Sequence, residues 1–589
     1  MNQKSILFPL LGILLFLFVT RGAGMTEDVI ISDFRNCLPA ENLSSAIEPG
    51  KWHLLSYETK EFSGHMLTAP SMIEAPPVTR KINLKGWYQI SLGLWNPPFA
   101  YDGDPLLKIK LSGDPAFRRI AYRKSADTQK TSFLREVPFT EVDMTGQDIV
   151  IGKSNGLLPK SAFLAYLRFR PMSDAEVNAI QEKRKQSPRN LTACLDGMSY
   201  FWASETGTEE QLREMVELYR HSDVGKVLWA ATYGSLTGYP TQVKGATFVA
   251  EASPMQFMQT VPGNSYALGN NHYYKSMLSF AEKGIVPQQV IAEHAHSMGL
   301  KFDLMIRLGI LGGFGLREND NFARFHPEFR QVQRDGTPVS KSSYAFPEVR
   351  QLVLDQIRET VEKIDADGIN LCFVRGPHFL QYEEPILKSF RETYPGEDPL
   401  KISESDPRLL QIRADIMTGF MKDARKVLDE VGAKKNKKLT LSVWVWPWER
   451  VVWLGGTPLQ EGLDVKKWIT EGLLDSVCCQ EGVDPEYIAL GKKHHCEFVL
   501  FTGYRGDLAM SPTTIQEATK AGVEQFVYWD IDLAQNYADV WHWLRDIGQR
   551  KQIDQWAADG LPKSMLIPLL KINGTDAANG LADSVYSGG

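Results

Sequence analysis

Cysteine is scarce: Cys37, Cys194, Cys372, Cys478, Cys479 and Cys496 are the whole complement. They form no CxxC and keep no regular spacing, so neither a disulfide framework nor a zinc site is signalled. Cys194, Cys372, Cys478 and Cys479 sit inside apolar runs, where cysteine behaves as a small hydrophobe. No GxGxxG follows a strand-like run, which removes the dinucleotide-binding reading. His294 and His296 stand two apart in a helical segment and face different ways, so they lack the i, i+4 geometry of a helical metal site. No metal and no cofactor is expected. Basic blocks are missing too, and the net charge is only −6, so nucleic acid is not an expected partner.

Long apolar runs are equally rare. The one at residues 6–19 is too short for a comfortable membrane span. Lys4 precedes it and Gly22, Ala23 and Gly24 follow, which is the layout of an export signal cleaved near Gly24. The expectation is a signal peptide over residues 1–24 and a secreted chain, periplasmic or extracellular. No membrane span remains after cleavage; an uncleaved anchor is the alternative.

What is present is apolar content of 43% over 589 residues, enough for more than one core. From 25 to 172 short β-like runs, such as WYQISLGLW at 87–95, are broken by Gly, Pro and Asp. Close strands with turn chemistry between them predict an antiparallel β-sandwich. A charged helical stretch opened by Ser173 makes 173–189 a linker. From 190 to 550 the rhythm becomes strand then helix. Strands are predicted at 191–195, 226–233, 302–308, 368–374, 439–446, 474–479, 498–501 and 525–529. Eight such units are the count of a (β/α)8 TIM barrel in the α/β class. Residues 551–589 read as a tail, with irregular chain or a fraying end after Asp559.

The stretch ADGINLCFVRGPHFLQYEEP at 366–385 carries the transition on which the site reading rests. A buried apolar strand runs out into Arg375, His378, Tyr382, Glu383 and Glu384, and the carboxyl ends of barrel strands are where sites are built. Several stretches then resemble the glycoside hydrolase family 10-like barrel proteins: IAEHAHSMG at 291–299, FHPEF at 325–329, SYAFPEVR at 343–350 and DGINLCFVR at 367–375. The resemblance covers roughly residues 190–548. It implies an exported barrel with a carbohydrate substrate, and an N-terminal sandwich that can bind glycan. There is one departure. Related hydrolases often carry a carboxylate in DGIxxDxxR on strand four, and here that slot is Cys372, with Asn370 two before it.

Glycoside cleavage uses two carboxyl groups about 5 to 10 Å apart. The acids just past predicted strand ends are Asp196, Glu383, Glu384, Glu449, Glu481, Asp507, Asp530 and Asp532. Glu383, Glu481 and Asp530 are the expected catalytic residues. Asp196 is placed with the substrate contacts, and each of these acids can instead be a helix cap or a solvated charge. Arg307 and Arg375 can fork onto a substrate carboxylate or sulfate, or pair with a barrel acid. Trp202, Tyr233, Trp446, Trp448, Tyr504 and Trp529 are placed to stack on sugar rings, and His378 to contact substrate. The first expectation is a hydrolase acting on a complex, acidic or sulfated glycan. A barrel that binds glycan without cutting it is the second, and a lyase using Tyr382 or His378 the third.

Overall fold

The computed structural model describes residues 27–97, 104–122, 132–154, 160–203, 207–251, 265–311, 321–374, 376–449, 456–504, 511–531, 535–561 and 563–576. Residues 1–24, expected to be an export signal, and Arg375, Asp507 and Asp532 lie outside the described residues, as do the side chains of Trp202 and Tyr504.

Alternating apolar residues in the first part of the chain build three largely antiparallel sheets. The longest pairing joins Trp87–Asn96 to Phe133–Asp143, from Trp87 opposite Asp143 to Asn96 opposite Phe133. Ile90, Leu92 and Leu94 on one strand and Val137 and Phe139 on the other are buried in a common core, the period-two pattern of a sheet covered on one face. The helix Asp174–Lys185 follows. The Ser173 hydroxyl accepts from the Glu176 amide, while the Glu176 carboxylate accepts from the Ser173 amide at 2.8 Å. That reciprocal cap fixes where the helix begins.

The barrel strands are β1 (Leu191–Leu195), β2 (Val224–Tyr233), β3 (Lys301–Arg307), β4 (Gly368–Cys372), β5 (Thr440–Val445), β6 (Ser476–Cys479), β7 (Glu497–Tyr504) and β8 (Gln525–Trp529). All eight pair in parallel, and β1 pairs with both β2 and β8, which closes the barrel. Every residue of β4 and β6 is buried, as strands wrapped on both faces require. Inside, the Trp444 ring of β5 packs edge-on against Trp529 of β8 at 4.4 Å and beside Phe501 of β7 at 6.2 Å. Pro287, Pro347, Pro407, Pro485 and Pro512 each open a helix. A first-turn proline loses no hydrogen bond there and presets the backbone angle. No helix among the described residues is long and apolar enough to cross a membrane.

The antiparallel layers meet the barrel through buried charge. Glu214 takes Lys108 at 2.8 Å and Arg119 at 3.2 Å, and Glu141 takes Arg184 at 3.3 Å and Arg545 at 2.5 Å. Nearby, the fully buried Glu217 accepts from Arg220 at 2.5 and 3.0 Å and lies 2.7 Å from His294 Nε2.

The structure differs from the sequence reading after the barrel. A helix spans Arg550–Asp559, and where irregular chain is expected three strands follow, the last being Thr575–Asp576. Met565–Pro568 pairs with Phe133–Asp143, and Lys571–Ile572 with Trp52–Glu58. Ile567, Leu569 and Ile572 are buried against Leu55, Tyr57, Trp95, Phe163 and Tyr166 in a second small core. A strand this short has no periodicity of its own, and its partner is remote in sequence. The helix Glu384–Thr393 follows β4, and Pro485–His494 follows β6.

Candidate functional site

At the carboxyl-terminal mouth, side chains from β1, β2, β3 and β8 converge. Arg307 ends β3, and its guanidinium lies over the Trp529 ring at 5.2 Å and the Tyr233 ring at 5.6 Å. The residue is only 8% exposed. Its nearest acid is Asp530, with Nη2 to Oδ1 at 4.0 Å. Among the described residues Nε and Nη2 of Arg307 have no hydrogen-bond partner. Burial by itself would lower the guanidinium pKa. Asp530 foremost, then Tyr233 and Asp196, outweigh it and hold the pKa above its ordinary value. Arg307 is therefore a buried cation with open donors.

Asp196 closes the first turn of the helix Ser199–Ala203. Its Oδ1 accepts from the amides of Met198 at 2.8 Å and Ser199 at 2.7 Å, and Oδ2 accepts from the Ser199 hydroxyl. Its carbonyl accepts from the Tyr233 hydroxyl. Gly197 follows with φ +75°, and a Cβ there would meet the Ala230 carbonyl at 2.6 Å, the Tyr233 hydroxyl at 2.7 Å and Trp229 Nε1 at 2.9 Å. That crowding, together with the left-handed angle, explains glycine at this point.

The three acids singled out by sequence sit in different surroundings. Asp530 is 1% exposed and directly follows β8 with φ +47°. Glu481 is exposed, two residues past β6, with φ +58°. The left-handed region costs a non-glycine residue about 1 to 2 kcal/mol, and such strain clusters at functional sites. The helix after β6 is capped by Asp484, not by Glu481. Among the described residues the Glu481 carboxylate makes no hydrogen bond or ion pair. Glu383 is fully buried and precedes the helix Glu384–Thr393. Its carboxylate accepts from the amides of Val332 at 3.0 Å and Gln381 at 2.8 Å, which ties the loop after β4 to the hairpin before it. Burial pushes its pKa up, and those amides oppose the rise. Glu384 lies 3.6 Å from Arg391, and Glu449 is exposed.

Of the aromatics, Tyr233 and Trp529 flank the Arg307 guanidinium. Trp446 is buried, and Trp448 is half-buried between the Tyr487 ring at 6.4 Å and the Lys466 ammonium at 4.1 Å. His378 lies on the loop after β4, with Nδ1 2.7 Å from Glu461 Oε1. His294 is buried in helix packing, in keeping with its reading, and His296 pairs with Asp367 at 2.9 Å below β4. Sequence reasoning passed over Glu461, Trp229, Trp444 and Gln480, which accepts from Trp444 Nε1 at 2.9 Å. Nothing local marks Glu461 as the partner of His378.

Among the described residues no group of three His, Cys, Asp or Glu could hold a metal ion. A cavity of about 360 Å³ lined by Pro188, Asn190, Ile515, Phe526 and Ile553 lies at the opposite, amino-terminal end of β1 and β8. That end of a barrel serves stability rather than chemistry.

No protein-family model and no curated protein matches the chain. Among solved structures it is similar to alpha-L-fucosidase isoenzyme 2 from Paenibacillus thiaminolyticus, at 14% identity over 63% of this chain and a TM-score of 0.38. The match covers 50% of that protein, so the chain spans half the length of this relative. It is similar also to the PgaB (BpsB) glycoside hydrolase domain from Bordetella bronchiseptica, at 10% identity over 63% of this chain and 98% of that one, with a TM-score of 0.38. The catalytic domain of beta-amylase from Paenibacillus polymyxa aligns at 12% identity over 59% of this chain and 94% of that one, with a TM-score of 0.35. Likeness at this level carries no activity over to the chain.

Proposed function

We propose that the chain is an exported glycoside hydrolase whose site is the carboxyl-terminal mouth of the barrel, and that its substrate is an acidic or sulfated poly- or oligosaccharide. The observation that carries this reading is Arg307, a buried guanidinium with two donors that have no hydrogen-bond partner among the described residues, flanked by Tyr233 and Trp529. A carboxylate or sulfate would satisfy those donors, and the aromatic faces suit a sugar ring. Glu481 is the acid that protonates the leaving oxygen. Asp530, beside Arg307, is the carboxylate across the scissile bond. Glu383 holds the loop that frames them. Export rests on the segment at residues 1–24.

The second reading, a barrel that binds glycan without cutting it, has its own observation. On β4 Asn370 donates to Ser442 at 2.9 Å and Cys372 is fully buried, where related hydrolases carry an acid. The test is a polysaccharide screen with residues 25–589, wild type beside Asp530→Asn, Glu481→Gln and Glu383→Gln. Cleavage lost in the first two variants supports the proposal. Cleavage that survives both removes it, and binding without cleavage by the wild type selects the second reading.

A further inference from the structure

Five histidines lie beside carboxylates among the described residues, and the pairs differ in kind; His65, 3.7 Å from Asp33, belongs to the antiparallel layers and is part-exposed on both sides. His294 with Glu217 is buried on both sides. His326 with Glu328 is exposed on both sides. His296 shares Asp365 and Asp367 at the amino-terminal end of β4, where Asp367 also holds the Phe302 amide and Lys437. His378 alone combines an exposed imidazole with a buried acid on the mouth side. Its side chain is 43% exposed and that of Glu461 only 5%. Glu461 Oε2 has no hydrogen-bond partner among the described residues. A buried carboxylate with one oxygen unserved is costly for packing alone, yet it does hold one edge of an imidazole whose other edge is open.

The backbone around His378 is fixed as well. Gln331 donates to the His378 carbonyl at 2.6 Å, and Lys341 to the carbonyls of Pro377, at 2.7 Å, and Gly376. Arg413 clamps the Gln381 carbonyl at 2.7 Å and reaches that of Gln460, which joins the two loops that carry His378 and Glu461. Glu383 pins the Gln381 amide from below. The charged groups that hold the backbone of these two loops are therefore Lys341, Arg413 and Glu383. An acceptor at Nδ1 selects the tautomer with a lone pair on Nε2, the form that takes a proton.

We propose that His378 is a further catalytic residue of the mouth, the base that activates water, and that Glu461 is its positioning residue. The inference rests on the reading of the mouth as a glycan-cleaving site. As the water oxygen bonds to the anomeric carbon, Nε2 of His378 takes the water proton. The bond from that carbon to the leaving oxygen breaks, and the leaving oxygen receives the Glu481 proton. His378 then returns its proton to solvent as Glu481 regains one. Asp530 faces the positive charge that develops on the ring.

The test uses whichever of polygalacturonate, alginate and chondroitin sulfate the wild-type chain cuts, with His378→Ala and Glu461→Gln. His378→Ala should lower kcat about 100-fold or more with KM little changed, and flatten the acid limb of the pH–rate profile. Added imidazole should restore part of the rate, which it would not do for a structural defect. Glu461→Gln should lower kcat in the same direction while keeping its melting temperature. Cleavage by His378→Ala within a few-fold of wild type overturns the dyad and leaves the hydrolase reading standing. A loss that imidazole does not rescue and that keeps the pH limb overturns it too. A wild-type chain that cuts no glycan overturns both.

Discussion

Replacing Glu217 by glutamine gives a stability experiment whose size and sign follow from the structure. Burial by itself would raise this carboxyl's pKa. The bonds from His294 and Arg220 outweigh it and bring the pKa from an ordinary 4.5 down to about 2. The folded pKa is depressed, so the stabilisation is fully present above about pH 4.5 and is lost as pH falls through about 2. At about 1.4 kcal/mol per tenfold, the carboxylate contributes about 3 kcal/mol at pH 7. By pH 3 about 2 kcal/mol of that is gone, because the unfolded carboxyl is then mostly protonated while the folded one is not. The side chain is fully buried, so solvent screening removes little. Urea titrations at pH 7 and pH 3 measure the effect. Glu217→Gln should be about 3 kcal/mol less stable than wild type at pH 7, with the gap narrowing to about 1 kcal/mol at pH 3. An equal gap at both pH values, or none at pH 7, would refute the reasoning.

Arg307→Met should weaken binding of an anionic glycan about tenfold to 100-fold, the worth of a charge-assisted hydrogen bond, and leave neutral glycans unaffected; calorimetry reads both. Gly197→Ala forces a Cβ against the Ala230 carbonyl and the Tyr233 hydroxyl; it should lower the melting temperature and weaken glycan binding together. Removing residues 563–589 uncovers the small core that Ile567, Leu569 and Ile572 complete. At about 1.5 to 3 kcal/mol per buried side chain, the loss should be about 5 kcal/mol, seen as an early melting step of the antiparallel layers.

The barrel was legible because each strand is a short apolar run wrapped on both faces, so β1, β4 and β8 begin where composition predicts. The residues facing the barrel interior were harder. Trp444 and Trp529 meet across it, and in a run apolar on both faces nothing separates inward from outward positions. The mouth was legible as a set of candidates rather than an arrangement. A carboxyl group past a strand can close the turn that leads into a helix, as Asp196 does, or tie down a loop, as Glu383 does. Which it does depends on amides brought from elsewhere in the chain, such as that of Val332 on Glu383. The pairing of His378 with Glu461 is non-local in the same way, and so is the return of residues 565–572 to the first sheets.

That return places the barrel inside the antiparallel unit as a clause inside parentheses. During synthesis the open edge of Phe133–Asp143 waits until the whole barrel has emerged, because the strand that covers it, Met565–Pro568, is made afterwards. An uncovered edge invites foreign strands, so folding order matters here more than the barrel's own stability. The same nesting governs force. Tension applied between residues 27 and 576 would be borne first by the hydrogen bonds that join the late strands to the early ones. The barrel would stay slack until that seam had opened.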